Sequence, residues 1–277
     1  MHSIAAVARK EFRDDFRNRW TVVITVLFGA LALGIAYFGG ATAGRVGFTS
    51  FETTVASLTT LAAFVVPLIS LLIAYDTVVG ERDGGTLLLL LSYPLSRGQL
   101  VTGKFLGHSA VLTVATVVGF GAAVAAIQAM TPQARTMAAW GEIAVFVGSA
   151  SLLGASFVGI GCLISVLTRD KSRAAGMALL AWFVLVVLFD LLLLAVLVAS
   201  GGNATERAVY PFLLLANPID VFRLLNLGAL GAGAGNDAFL AMSAGRTYEL
   251  WTLFVVLGVW AIAPIALALL AFRQQEV

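Results

Sequence analysis

The sequence predicts an all-α integral membrane protein of six transmembrane helices, and three observations carry that prediction. Hydrophobic residues make up 60% of the 277 and charged residues 12%, with a mean hydropathy of +0.97, a balance that leaves too few polar side chains to cover a soluble domain. Six segments, 20–38, 57–79, 104–130, 140–168, 174–200 and 248–272, supply the roughly 20 mostly apolar residues that a helix needs to cross a hydrocarbon core. The basic residues divide unevenly between the segments that connect these spans. With the N-terminus inside, Arg9, Lys10, Arg13, Arg17, Arg19, Arg82, Arg97, Lys104, Arg169, Lys171, Arg173 and Arg273 are cytoplasmic. Arg45, Arg135, Arg207, Arg223 and Arg246 are then outside, and twelve against five places both termini in the cytoplasm.

The chain reads as one transmembrane domain over residues 1–277. In residues 3–18, Ile4, Ala8, Phe12 and Phe16 recur every fourth position opposite Arg9, Arg13 and Arg17. That pattern predicts an amphipathic helix lying on the inner membrane surface, as an electrostatic anchor or as a lever coupled to a partner. The run Thr21–Phe38 is longer than the apolar core of a signal peptide, so it reads as the first span. Later connections are short except for two: the inner segment 80–98 and the outer segment 201–247. Irregular length of this kind is where function concentrates.

The inner segment reads GERDGGTLLLLLSYPLSRGQLVTGKF. Glu81, Arg82 and Asp83 are costly in hydrocarbon and Gly84–Gly85 breaks a helix, so the chain leaves the membrane here. Thr86 can cap a short helix over Thr86–Tyr93, which Pro94, Ser96 and Gly98 end before Lys104 opens the next span. Such a helix needs either an external groove or a site against its own bundle. Gly98 to Lys104 satisfies GxxxxGK, but Phe105 replaces the magnesium-binding hydroxyl and no strand precedes it. The match is coincidental, Lys104 reads as an interfacial anchor, and the chain binds no ATP of its own.

The order of these pieces resembles the ABC-2 type permease family, whose usual form is close to ERERGTLELLLSYPISR followed by GK. The resemblance covers ARKEFRDDFRNRW, the second span running into GERDGGTLLLLLSYPLSRGQLVTGK, and YPFLLLANPIDVFRLLNL in the outer segment. It implies a multi-pass protein of a bacterial inner membrane and a homodimer. Residues Glu81–Tyr93 would dock into a cleft of a separate ATP-binding subunit. Glu81, Arg82, Gly85, Thr86 and Leu87 match the family pattern directly. Leu88, Leu90, Leu91, Tyr93 and Pro94 complete the segment, while Leu89 stands where a glutamate is common. The turn Arg169–Arg173, with Arg169 and Lys171, would be a second contact. The resemblance also implies that ATP and magnesium belong to the partner ATPase and that the outer segment meets a periplasmic protein. If copper is the cargo, its ligands are in that periplasmic protein. The alternatives are an exporter of a lipid, polysaccharide or drug, and a transporter independent of ATP.

No catalytic centre emerges. A net charge of +2 without a basic, aromatic-interleaved stripe excludes a nucleic-acid surface. The single cysteine, Cys162, lies in an apolar run and reads as a buried, inert thiol. The pair Tyr75–Asp76 lacks the GxGD partner of an intramembrane protease, and Asp76 is expected to pair with Arg82 or Lys104. Asp190 is a carboxylate inside an apolar run, expected to face the bundle or a dimer seam as a structural group. His108, Met130, Met137 and Met242 are too scattered to assign as metal ligands. Small residues at helical spacing, Gly29 with Gly34, Gly103 with Gly107, and Gly154, Gly159 and Gly161, predict close helix packing.

Overall fold

The computed structural model describes residues 2–17, 51–93, 95–130, 137–200, 204–229 and 248–275, together with seven positions between 23 and 34. Every regular element among them is helical. The elements are α1 (His2–Arg17), α2 (Phe51–Ala74), α3 (Val79–Asp83), α4 (Leu87–Ser92), α5 (Arg97–Met130) and α6 (Met137–Leu167). After them come α7 (Lys171–Phe183), a π turn (Val184–Leu188), α8 (Phe189–Ser200), α9 (Ala204–Leu214), α10 (Pro218–Ala229) and α11 (Leu250–Gln274). Five stretches of described residues are long and apolar enough to cross a membrane: Val55–Asp83, Arg97–Gly121, Trp140–Leu167, Lys171–Ala199 and Leu250–Gln274. The first predicted span, 20–38, lies mostly outside the described residues, although the seven described positions, from Val23 to Gly34, are helical. Residues 230–247 and Pro94 also lie outside them.

The bundle is organised around α6, which packs on α2, α5, α7, α10 and α11. Its small residues make this possible. A Cβ on Gly161 would lie 2.6 Å from the Ala74 Cβ of α2, one on Gly159 would lie 3.2 Å from the Ala261 carbonyl of α11, and one on Gly154 would touch Ser70 and Val66. Gly159 and Gly161 therefore join helices of one chain at near backbone contact, and Gly154 packs against side chains of α2. Around them Leu58, Leu71, Phe120, Leu153, Phe157 and Phe272 form a fully buried core. The α7–α8 stretch stands apart, with an exposed apolar surface that includes Leu180, Leu191, Leu192 and Val198.

Part of the outer segment is packed within the bundle. The hairpin α9–α10 enters the bundle: Pro218 to Leu227 is buried except at Arg223. At its tip the Asn217 amide donates to the Leu185 carbonyl at 2.7 Å, and the Trp260 indole donates to the Leu215 carbonyl at 3.1 Å. Leu185 is midway along Lys171–Ala199 and Trp260 is near the middle of Leu250–Gln274, so the hairpin reaches the mid-depth of both helices. The Leu185 carbonyl lies in the π turn, where wider winding disturbs the regular main-chain ladder and lets a side chain bond there.

Candidate functional site

Four short pieces meet at one end of the bundle: α3, α4, the turn between α6 and α7, and the C-terminal end of α11. The α2 helix ends at Ala74, and the main-chain amides of Val78 and Val79 both donate to Ser165 Oγ of α6, at 2.9 and 3.0 Å. This fixes the direction in which α3 leaves. Gly85 then takes φ +69°, the left-handed conformation that glycine adopts without strain. The Gly85 amide bonds the Arg82 carbonyl at 3.1 Å and the Thr86 amide bonds the Glu81 carbonyl at 2.9 Å, a Schellman closure of α3. The predicted break at Gly84–Gly85 thus has its physical cause in Gly85. Thr86 does stand at the N-cap of α4, but its hydroxyl caps nothing there: it turns back to the Glu81 carboxylate and carbonyl.

The α4 helix is held on one side only. Leu87 is 2% exposed and joins the core, with Leu90 and Leu91 partly buried against it, whereas Leu88, Leu89 and Tyr93 are each 65% exposed. Beside this apolar face opens a cleft of about 800 Å³ lined by Arg82, Gly85, Leu87, Leu88, Leu167, Arg169, Gln274 and Gln275. Its walls are tied together by Arg82, whose guanidinium donates to the Thr168 carbonyl at 2.9 Å and to Gln275 Oε1 at 2.8 Å. Gln275 in turn donates to the Val166 carbonyl at 2.8 Å, and Arg97 donates to the Phe272 carbonyl at 3.1 Å and to the Gln275 carbonyl. The two segments singled out in the sequence are adjacent: the Lys171 amide donates to the Asp83 carboxylate at 2.9 Å, and Asp170 caps α7 through the Arg173 amide at 2.7 Å.

Two charge assignments differ from expectation. Asp76 pairs with Lys171 at 2.7 Å, not with Arg82 or Lys104. Lys104 is not an interfacial anchor: its side chain is 6% exposed and lies 3.1 Å from both Glu11 of α1 and Glu81 of α3. Gly98 to Lys104 itself lies in helix α5, a geometry that cradles no phosphate. One turn further on, His108 pairs with Asp15 at 2.5 Å. The α1 helix is therefore docked on α5 through the Lys104–Glu11 ion pair and the His108–Asp15 contact, and glycines seat it: a Cβ on Gly103 would be 2.6 Å from Val7, and one on Gly107 would be 2.7 Å from Glu11. The face turned to α5 is Ile4, Val7, Ala8, Glu11 and Asp15, while Phe16 is 54% exposed. Burial pushes the Glu11 carboxyl up, but Lys104, with Lys10 and His108 adding to it, prevails and holds the group below the ordinary carboxylate range.

The sequence is similar to those of known proteins. The family described as ABC-2 family transporter protein matches residues 5–277. The chain belongs to the ABC-2 transporter family. It is 48% identical over 277 residues, the full length of both chains, to a Pseudomonas aeruginosa protein named probable ABC transporter permease protein NosY. It is 42% identical over 275 residues, 99% of both chains, to a protein of the same name from Stutzerimonas stutzeri. As an ABC-2 permease with five candidate spans among its described residues, it is a multi-pass membrane protein. The Lys104 bridge was missed in the sequence because Glu11 lies 93 residues away. A signal was present nonetheless: Lys104 and His108 share a face with Gly103 and Gly107 on α5, and Glu11 and Asp15 share a face of α1.

Proposed function

We propose that this chain is the membrane subunit of a complex in which a separate ATP-binding protein docks on α4 and on the Arg169–Lys171 turn. The supporting observation is the exposed face of α4: Leu88, Leu89 and Tyr93 stand out from the bundle while Leu87 is anchored within it. An apolar face on a rigidly held element, rimmed by Arg82 and Arg169 at the cleft, fits insertion into a groove of another protein. The distribution of basic residues supports a cytoplasmic position for this face and both termini in a bacterial inner-membrane protein. Nucleotide closure in the ATPase would then move α3 and α4, and through Ser165, Arg82 and Lys104 also α6, α11 and α1. ATP and magnesium are held by that partner.

Similarity to the NosY proteins supports a role in assembling the copper cofactor of nitrous oxide reductase, by delivery of copper or a sulfur species. The functional unit is a homodimer carrying two NosF-like ATPases and a NosD-like periplasmic protein that holds any metal. Replacing Leu88 and Leu89 together by glutamate, with the ATPase co-expressed, is expected to abolish co-purification and leave the thermal midpoint of the isolated permease unchanged. Undiminished association of the double variant would overturn the docking reading.

A further inference from the structure

The re-entrant hairpin carries a charged cluster that the docking site does not use. Arg223 of α10 lies 2.5 Å from Asp190 of α8 and 3.4 Å from Asp220 of its own helix. Its guanidinium also stands 5.9 Å from the centre of the Phe64 ring of α2. Asp220 is fully buried, and its Oδ2 has no hydrogen-bond partner. The Asp190 carboxyl of α8 bonds the same guanidinium nitrogen, Nη1 of Arg223, as the Asp220 carboxyl does, and it offers no donor while it is ionised.

Two carboxylates facing one guanidinium leave an excess negative charge, and a buried acceptor without a donor is costly. A proton resolves both at once: it neutralises one acid and donates across the carboxyl pair, as two carboxyls in one site are known to do. Among the residues whose side chains are described, the surrounding elements do not supply the missing charge. Tyr210 of α9 faces both acids and is itself buried. The α6 helix meets α10 at Asn226 through Ser149, and its one charged residue, Glu142, is seven positions from Ser149, about 10 Å along the helix. Between Val55 and Ala74 α2 has no ionisable side chain, and between Leu250 and Phe272 α11 has none.

We propose that Asp190 and Asp220 hold one proton between them, with Arg223 neutralising the remaining carboxylate, so that the hairpin is seated on a proton-binding site. Release of the proton leaves two anions facing each other and loosens α10 from α8. The site thus makes the seating of the hairpin sensitive to pH.

The test is infrared difference spectroscopy on the purified full-length permease between acidic and alkaline buffer, in water and in heavy water, beside thermal unfolding over the same range. The wild type is expected to show a protonated-carboxyl stretch that disappears on raising pH. It is also expected to lose thermal stability over that interval, because the folded state binds a proton that the unfolded chain releases. Asp220→Asn and Asp190→Asn each leave one carboxylate for Arg223, so both are expected to lack that stretch and to flatten the pH dependence of the midpoint. A wild type without a titrating carboxyl stretch would overturn the proposal even if neither variant folds. So would a stretch of equal intensity in both variants, or a midpoint that follows sodium or potassium at fixed pH and ionic strength.

Discussion

Lys104→Met is expected to release α1 from the bundle. Lys104 is the cation that α5 supplies to Glu11 and Glu81, and at 6% exposure its replacement by an apolar chain brings in no water to compensate. Removing one partner of a buried ion pair costs about 3–5 kcal/mol. The lower end applies here, because Glu11 keeps Lys10 at 3.1 Å and Glu81 keeps the Thr86 hydroxyl. The rest of the α1 seat is the His108–Asp15 pair and the contact of Ile4, Val7 and Ala8 with two glycines. Limited trypsinolysis reads the outcome: Arg9, Lys10 and Arg13 are exposed on a helix that resists cleavage while docked. The variant is expected to be cut there many times faster than the wild type. Adding Glu11→Gln to Lys104→Met removes the stranded charge and is expected to restore part of the protection. Equal cleavage rates for Lys104→Met and wild type would show that the bridge does not hold α1.

The second large effect concerns the core. In Gly161→Leu the new Cβ would sit 2.6 Å from the Ala74 Cβ, with the Ala74 carbonyl carbon at 3.3 Å. The obstacle is main chain and a methyl attached to it, so there is no flexible side chain to swing away and α2 must separate from α6. Overpacking a close-packed interior costs about 1–3 kcal/mol and sometimes more, and a leucine between two backbones belongs at the upper end. The variant is expected to unfold at a clearly lower temperature in detergent and to yield less monodisperse protein. Gly176→Leu is the control, since a Cβ there meets nothing within 4 Å. Equal midpoints for Gly161→Leu and Gly176→Leu would contradict the close α2–α6 seam.

The long apolar runs were legible in the sequence because hydropathy over 20 or so residues reports the solvent each helix needs, whatever its neighbours. The break at Gly85 was legible for a local reason, the left-handed turn that a Gly-Gly pair permits. The hairpin α9–α10 was not. Each of its helices is too short to span, and Asp220, Arg223 and Asn226 make it read as a surface piece. Arg223 and Asn226 find partners far away in the chain, Asp190 and Ser149, which hydropathy cannot pair. Asp190 was recognised as costly inside its run, yet its cation was hidden among the apolar residues of DVFRLLNL. The α1 dock was half legible: the glycine pair on α5 announced a close neighbour, but nothing local told that the neighbour was the N-terminal helix carrying two acids. At the α4 site the sequence located the segment, and only packing divided it into an anchored Leu87 and an exposed Leu88, Leu89 and Tyr93.

That division gives the docking account its most direct test. The single native cysteine, Cys162, is fully buried, so an introduced thiol is the reactive one. With the ATPase co-expressed, Leu88→Cys is expected to cross-link to it through a short bifunctional reagent, and Trp251→Cys, exposed at the opposite end of α11 from Arg273, is expected to stay free. A complex that co-purifies while Leu88→Cys remains uncross-linked, or that cross-links through Trp251→Cys, would contradict the claim that α4 is the docking element.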